Sequence, residues 1–201
     1  GRTGWLNDAL ARSGRGSATK NGNFEFDDST GASLSVTART PEGTSSGYFL
    51  RGHNDIKKLD TKRIATEAIR KAVEGRNART VEPGTYTVIL EPQAVADLLG
   101  NFTFGFNART AEEGRSVYSA PGGKTRVGET VFDKKLSVYS DPWHPELPGP
   151  PSAQGGIPAE KVYLIKSGVL ETLIYNRSWA KQKGKEPTPG PVNTIIEPIG
   201  E

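Results

Sequence analysis

The chain has 201 residues and a formal net charge of +3, with 26 Lys and Arg against 23 Asp and Glu. That length can bury a substantial core, the small and evenly spread charge provides no basic stripe for nucleic acid, and no apolar run is long enough to span a membrane. The absence of cysteine excludes a disulfide framework and thiolate chemistry within the chain, and 24 Gly with 14 Pro favour turns and short strands.

Residues 1–23 are rich in Gly, Ser, Arg and Asn with little periodicity, and read as a flexible lead-in. Within them Arg12-Ser13-Gly14-Arg15-Gly16 superficially resembles a phosphate loop, but no strand pattern precedes it and no lysine is suitably placed. Residues 24–58 form a β-hairpin region. Leu34, Val36 and Ala38 alternate with polar residues, Pro41-Glu42-Gly43 turns the chain, and Gly47 to Leu50 is expected to pair back. Phe24 and Phe26 alternate as an edge strand would, and His53 follows the hairpin as a surface histidine.

Residues 59–118 read as a helix-strand-helix core. Asp60 is a suitable N-cap, and Ile64, Ala65, Ala68, Ile69, Ala72 and Val73 share one helical face. Lys62, Arg63, Glu67, Arg70 and Lys71 are expected to face water, and Gly75 to supply a left-handed C-cap. After the Pro83-Gly84 turn, Tyr86, Val88 and Leu90 predict a strand buried on both faces. Pro92 suits the first turn of a second helix with Ala94, Val95, Leu98 and Leu99 inward. Periodicity does not decide whether Phe102, Phe104 and Phe106 lie on a helix or an extended piece; Ala108 to Glu113 reads as a helical turn closed by Gly114.

Residues 119–201 read as a β-rich region. Ala120 to Gly128 looks like a mobile loop; its Gly122-Gly123-Lys124-Thr125 lacks the glycine a nucleotide-binding loop needs at Tyr118, and no helix pattern follows. Val131 to Tyr139 predicts a strand. The loop 141–158 holds six of the 14 prolines. Ser167-Gly168 joins Lys161–Lys166 and Val169–Tyr175 as a tight hairpin, Arg177 to Lys183 predicts a short helix, and Val192 to Glu197 a last strand. The sum is an α+β chain of antiparallel β-sheets and hairpins with two clear and two short helices.

Candidate chemistry is sparse. A zinc peptidase commonly sets two histidines and a glutamate on one helix, so that the metal polarises water and the glutamate takes its proton. His53 and His144 are far apart, and neither falls on an expected helix. Asp141, His144 and Glu146 could bring ligands together, but Pro142, Pro145 and Pro148 interrupt them. Asn101-Phe102-Thr103 and Asn176-Arg177-Ser178 match glycosylation sequons and read as chance matches.

The run Glu82-Pro83-Gly84-Thr85-Tyr86-Thr87-Val88-Ile89-Leu90-Glu91-Pro92, continued to Leu99, resembles the signature of the TldD/PmbA family, also described as peptidase family U62 or modulator of DNA gyrase. Gly114-Arg115-Ser116, Ser140-Asp141-Pro142, Lys166-Ser167-Gly168-Val169-Leu170, Ala180-Lys181 and Pro189-Gly190-Pro191-Val192-Asn193 fit the same template from about Ser33 onward. Family members are typically more than twice this long. With no methionine even at position 1, the chain reads as a central fragment of such a protein. TldD-type members carry a His-Glu motif with a second His on the helix after the strand; ungapped counting puts those positions at Gly100, Asn101 and Gly105. The family's remaining ligand, a cysteine, is not in this chain. The run Ser152-Ala153-Gln154-Gly155-Gly156-Ile157-Pro158 also lacks the acidic residues that many relatives place there.

The resemblance therefore implies a PmbA/TldE-like member with no catalytic, cofactor or metal residues of its own. It would be a non-catalytic cytoplasmic subunit of a TldD-type metallopeptidase assembly acting on peptides or unfolded segments, with zinc only in the TldD-like partner. The other readings are a stand-alone homodimeric binding protein and a DNA gyrase modulator, both without peptidase activity.

Overall fold

The computed structural model describes residues 4–198. The chain divides into two compact units, Gly1–Ile89 and Leu90–Glu201. Its architecture is α+β, with antiparallel sheets and four α-helices among the described residues.

In the first unit β1 (Gly4–Ala18), β2 (Phe24–Arg39) and β3 (Ser46–His53) form an antiparallel sheet in that order. The stretch expected as a flexible lead-in is thus a strand, paired with β2 from Gly4↔Ala38 to Ala18↔Phe24; residues 1–3 lie outside the described residues. Its Gly and Ser content hid this, because β1 is exposed along its whole length and so shows no burial pattern to read. The β2–β3 hairpin forms in the expected place, with Val36 opposite Phe49 and the Thr40 N–H donating to the Ser45 carbonyl at 3.0 Å.

Helix α1 (Thr61–Glu74) starts where Asp60 caps the Arg63 N–H at 2.9 Å, and buries Ile64, Ala68 and Ala72. Ile64 and Ala68 pack with Leu34 and Phe49 as the unit's core. Small residues set the spacing. A Cβ on Gly47 would lie 2.1 Å from the Ala68 carbonyl oxygen, so β3 touches the helix backbone directly. The helix differs from expectation in three respects. Ile69 and Val73 are 41% and 51% exposed. Lys71 lies against β3, donating to the Tyr48 carbonyl at 3.1 Å with its ammonium 5.0 Å from the Phe49 ring centre. Gly75 is right-handed (φ −71°), so its chirality is not what ends the helix.

The predicted strand at Tyr86–Leu90 is not formed. This stretch has no ladder partner among the described residues, and Val88 and Ile89 are 67% and 99% exposed. Apolar alternation supplies a strand's pattern but not its neighbour, and only pairing satisfies the backbone.

The second unit begins with α2 (Pro92–Thr103), followed by a 3-10 turn at Phe104–Phe106 and by α3 (Ala108–Glu112). Leu98, expected inward, is 52% exposed. Asn107 caps α3, and Gly114 follows it at φ 77°. The short ladder of β4 (Ser119–Ala120) and β5 (Lys124–Thr125) orders the expected mobile loop, and a strand, not a helix, takes up Lys124-Thr125.

The main sheet has the order β10-β9-β6-β11, with β6 (Leu136–Ser140), β9 (Val162–Lys166), β10 (Val169–Leu170) and β11 (Ile195–Pro198). The predicted Val131–Tyr139 strand is shortened at its start and extends to Ser140. Within the Pro-rich loop, β7 (Ser152–Ala153) and β8 (Ile157–Pro158) make a two-residue ladder. The register slips between Val138 and Tyr139, and Leu164 and Ile165 are both buried at 1% exposure because strict alternation is lost at such an irregularity. The β9–β10 turn has Ser167 at φ 47° and Gly168 at φ 79°, the left-handed pair that a two-residue hairpin requires. Gly168 is needed twice over, since a Cβ there would sit 2.4 Å from the Phe132 carbonyl oxygen. Helix α4 (Arg177–Lys183), capped by Asn176 and ended by left-handed Gly184, packs Trp179 on the core formed by Phe106, Ala108, Tyr118, Val138, Leu164 and Leu170.

Candidate functional site

The sequence places its strongest functional question on α2. Asn101 is exposed, and its Nδ2 donates to the Asp97 carbonyl at 3.0 Å, an i to i−4 contact along the helix surface. Gly105 lies in the following turn, where its carbonyl accepts from Ser116 Oγ at 2.8 Å. A Cβ added there would come within 3.0 Å of the Tyr118 ring. A side chain at 105 would therefore require that ring to give by a few tenths of an ångström. Together Gly100, Asn101 and Gly105 offer no imidazole, thiolate or carboxylate, so the donor set at these positions does not fit zinc.

Beside Gly100 lies a pocket of about 180 Å³. Its floor is Phe106, Tyr118, Val138 and Ile165, all buried, and Phe102 and Leu99 from α2 form one wall. The Phe106 and Tyr118 rings stack with centres 4.9 Å apart. Tyr118 is 2% exposed, and among the described residues its hydroxyl has no hydrogen-bond partner. Burial pushes its phenol up to about 12, so the group stays protonated and is a donor.

Two polar clusters support this unit. In the first, motif residues remote in sequence meet. Ser140, 1% exposed, donates its hydroxyl to Asn193 Oδ1 at 3.0 Å and accepts from the Val192 N–H at 3.0 Å. The Asp141 N–H donates to the same Oδ1 at 2.8 Å, and Asn193 Nδ2 donates to the carbonyls of Asp141 (2.6 Å) and Leu147 (2.5 Å). Asn193 thereby ties the end of β6 and the proline loop to the segment leading into β11. In the second cluster, Glu112 of α3 accepts from Tyr175 Oη at 2.5 Å and Trp179 Nε1 at 2.8 Å, with Lys183 Nζ 3.5 Å and Lys185 Nζ 3.8 Å away. Burial raises the Glu112 carboxyl, but these donors and the Lys183 charge outweigh it and hold the carboxyl below its ordinary value.

The remaining sequence candidates do not converge. His53 Nδ1 accepts from the Asp55 N–H at 2.8 Å at the end of β3. In the proline loop His144 Nδ1 accepts from the Glu146 N–H at 3.3 Å, Asp141 Oδ1 accepts from the Trp143 N–H at 3.0 Å, and Lys161 approaches Asp141 at 3.5 Å. These are local turn contacts, and among the described residues no three of His, Cys, Asp and Glu are grouped to hold a metal. Tyr118 and Glu112 escaped the sequence reading because nothing local marks them: one is a lone aromatic, the other part of a surface-like charged run.

In solved structures the same fold recurs in a proposed modulator of DNA gyrase from Bacteroides thetaiotaomicron, with TM-score 0.79, 21% identity, and coverage of 98% of this chain and 44% of that one. TldE from Thermococcus kodakarensis matches with TM-score 0.74 at 19% identity, covering 96% of this chain and 46% of that one. Among curated proteins, a metalloprotease of Archaeoglobus fulgidus is 28% identical over 108 residues, 54% of this chain and 24% of that protein. A metalloprotease of Synechocystis is 26% identical over 147 residues, 69% of this chain and 29% of that protein. The chain thus spans less than half the length of each. The sequence profile described as the PmbA/TldA metallopeptidase C-terminal domain matches residues 83–199, which is more than half of the chain, and the protein belongs to the PmbA/TldD family.

Proposed function

We propose that the chain is part of a PmbA/TldE-like subunit that binds peptides or unfolded segments within a peptidase assembly, while a TldD-like partner carries the zinc. The observation that carries this reading is the residue set Gly100, Asn101 and Gly105, at the positions that ungapped counting assigns to the metal and base residues of TldD-type relatives. Space at Gly105 is tight as well, since a Cβ there would lie 3.0 Å from the Tyr118 ring. Membership in a peptidase-related family and the fold shared with TldE are consistent with the same role. The chain would contribute walls and strand edges of a shared cleft, along which an extended peptide adds as a further strand.

The test pairs this chain with a family member holding an intact His-Glu motif. The expected result is no zinc after chelator-free purification and gel filtration, no peptide cleavage alone, and cleavage by the mixture above that of the partner alone. Stoichiometric zinc on this chain, or cleavage by it alone, overturns the proposal.

A further inference from the structure

We propose that the outer edge of β1 recognises a second copy of itself: two chains pair β1 to β1, antiparallel about a two-fold axis at Leu10, and join their sheets into one. Among the described residues β1 has no neighbour on its outer side, and such an edge offers a row of N–H and C=O groups to another strand. The strand's own charges choose the partner. Pairing about Leu10 sets Leu10 opposite the second copy's Leu10, Asp8 opposite its Arg12, and Trp5 opposite its Arg15. Symmetry repeats each charge pair, and opposite charges facing each other across strands are stabilising. Neighbouring registers lose the match: centred on Ala9, Asp8 faces Leu10 and Arg12 faces Leu6, and centred on Asp8 or Arg12, like charges meet. A lone charge on an edge opposes pairing, whereas opposite charges placed evenly about Leu10 select one register and one partner. Arg12 is already oriented by Asp28, with Nη2 2.7 Å from Oδ2, and its guanidinium carries further N–H donors for a second carboxylate.

The face beside this edge is the second observation. Residues opposite one another in a ladder share a face. Leu6 stands in a row with Val36 and Phe49, and Leu10 with Ala32, so both belong to the face on which α1 packs. The helix sits on Leu34 and Phe49, and Leu6 and Leu10 lie exposed beyond it. From Leu6 a groove of about 330 Å³ runs to the exposed Ile69 and Val73 of α1, with Gly4 at its border. The same pairing supplies this groove with an apolar neighbour. It sets the second copy's Gly16 opposite Gly4, and within each chain the Phe26 ring leans over Gly16, its Cδ2 3.8 Å from where a Cβ would stand. With glycine at both positions, no side chain stands between the exposed Phe26 of one copy and the groove of the other. The contact lies within the first unit and needs no metal-bearing partner.

Charge reversal tests the register. Asp8→Arg and Arg12→Asp each set like charges opposite one another across the axis, and each is expected to dimerise about tenfold more weakly than wild type in sedimentation equilibrium. Their equimolar mixture brings opposite charges together again at both places. It is expected to associate about tenfold more tightly than either variant alone, which neither a loss of folding nor a contact elsewhere would produce. Because the chain has no cysteine, a spin label on Leu6→Cys reports the geometry separately: the two labels are expected about 27 Å apart, the rise of roughly eight strand residues. A wild type that stays monomeric, single variants that dimerise as wild type does, a mixture no tighter than its components, or a label distance inconsistent with this pairing overturns the proposal.

Discussion

Glu112 shows how a single charged residue is made to serve packing. Its carboxylate is reached by two neutral donors and approached by two ammonium groups, joining α3 to α4 and to Tyr175. A carboxyl held low by folding stabilises the protein above its unfolded value, and that contribution is lost as pH falls through the folded value. Wild type is therefore expected to be more stable than Glu112→Gln at pH 7, with the gap closing on acidification below the ordinary value of 4.5. Urea unfolding at several pH values measures it; a gap independent of pH would mean that the charge on Glu112 contributes nothing. Gly47 is the opposite case, a residue needed for what it lacks. Gly47→Ala places a methyl 2.1 Å from the Ala68 carbonyl oxygen. It is expected to cost on the order of 3 kcal/mol as β3 is pushed off α1, read as a lowered melting temperature of the first unit.

At the scale of elements, apolar pattern and burial part company in the stretch before α2. Val88 has the neighbours of a core strand residue in sequence and 67% exposure in the fold. Val88→Asp is accordingly expected to change stability by about 0.5 kcal/mol or less. Ile165→Asp, which buries a charge at 1% exposure in β9, is expected to unfold the second unit, because an unpaired buried charge costs several kcal/mol or must be neutralised. Melting curves of the two variants decide it; equal losses would place Val88 back in a core. Helix α1 repeats the lesson in milder form, with Ala68 and Ala72 buried beneath β3 while Ile69 and Val73 on the same predicted face are half exposed.

On the scale of the whole molecule, the open edges are where association is expected. Strand β2, which holds Leu34 to Arg39, is flanked by β1 and β3, and β6 by β9 and β11, so neither is an edge. The outer edge of β1 is different: the strand is 15 residues long, exposed throughout, and carries the exposed Leu6 and Leu10. Unpaired strand edges recruit other strands, and identical chains most often close as two-fold pairs. Light scattering is expected to show a mass rising above 21.6 kDa with concentration, and Leu10→Lys to lower it. A constant 21.6 kDa would show that the edge does not pair.

What the sequence determined by itself is local. Asp60, Asn107 and Asn176 cap their helices by bonding to a residue three positions on, and Ser167-Gly168 and Pro41-Glu42-Gly43 turn the chain by their own backbone preferences. The order of short motifs was likewise enough to point to the family, since it needs no knowledge of contacts. What only the tertiary structure decided is which patterned segments find partners. The lead-in became β1 because β2 was long enough to pair with it, and Tyr86–Leu90 stayed unpaired because none of the described strands lies alongside it. Asn193 meets Ser140 from 53 positions away, and Glu112 meets Trp179 from 67. Among the described residues the Tyr118 hydroxyl is buried without a partner, which nothing in its own neighbourhood announces. Hydrogen bonds and burial at such separations depend on how sheets and helices are laid together, and periodicity along the chain carries no record of that.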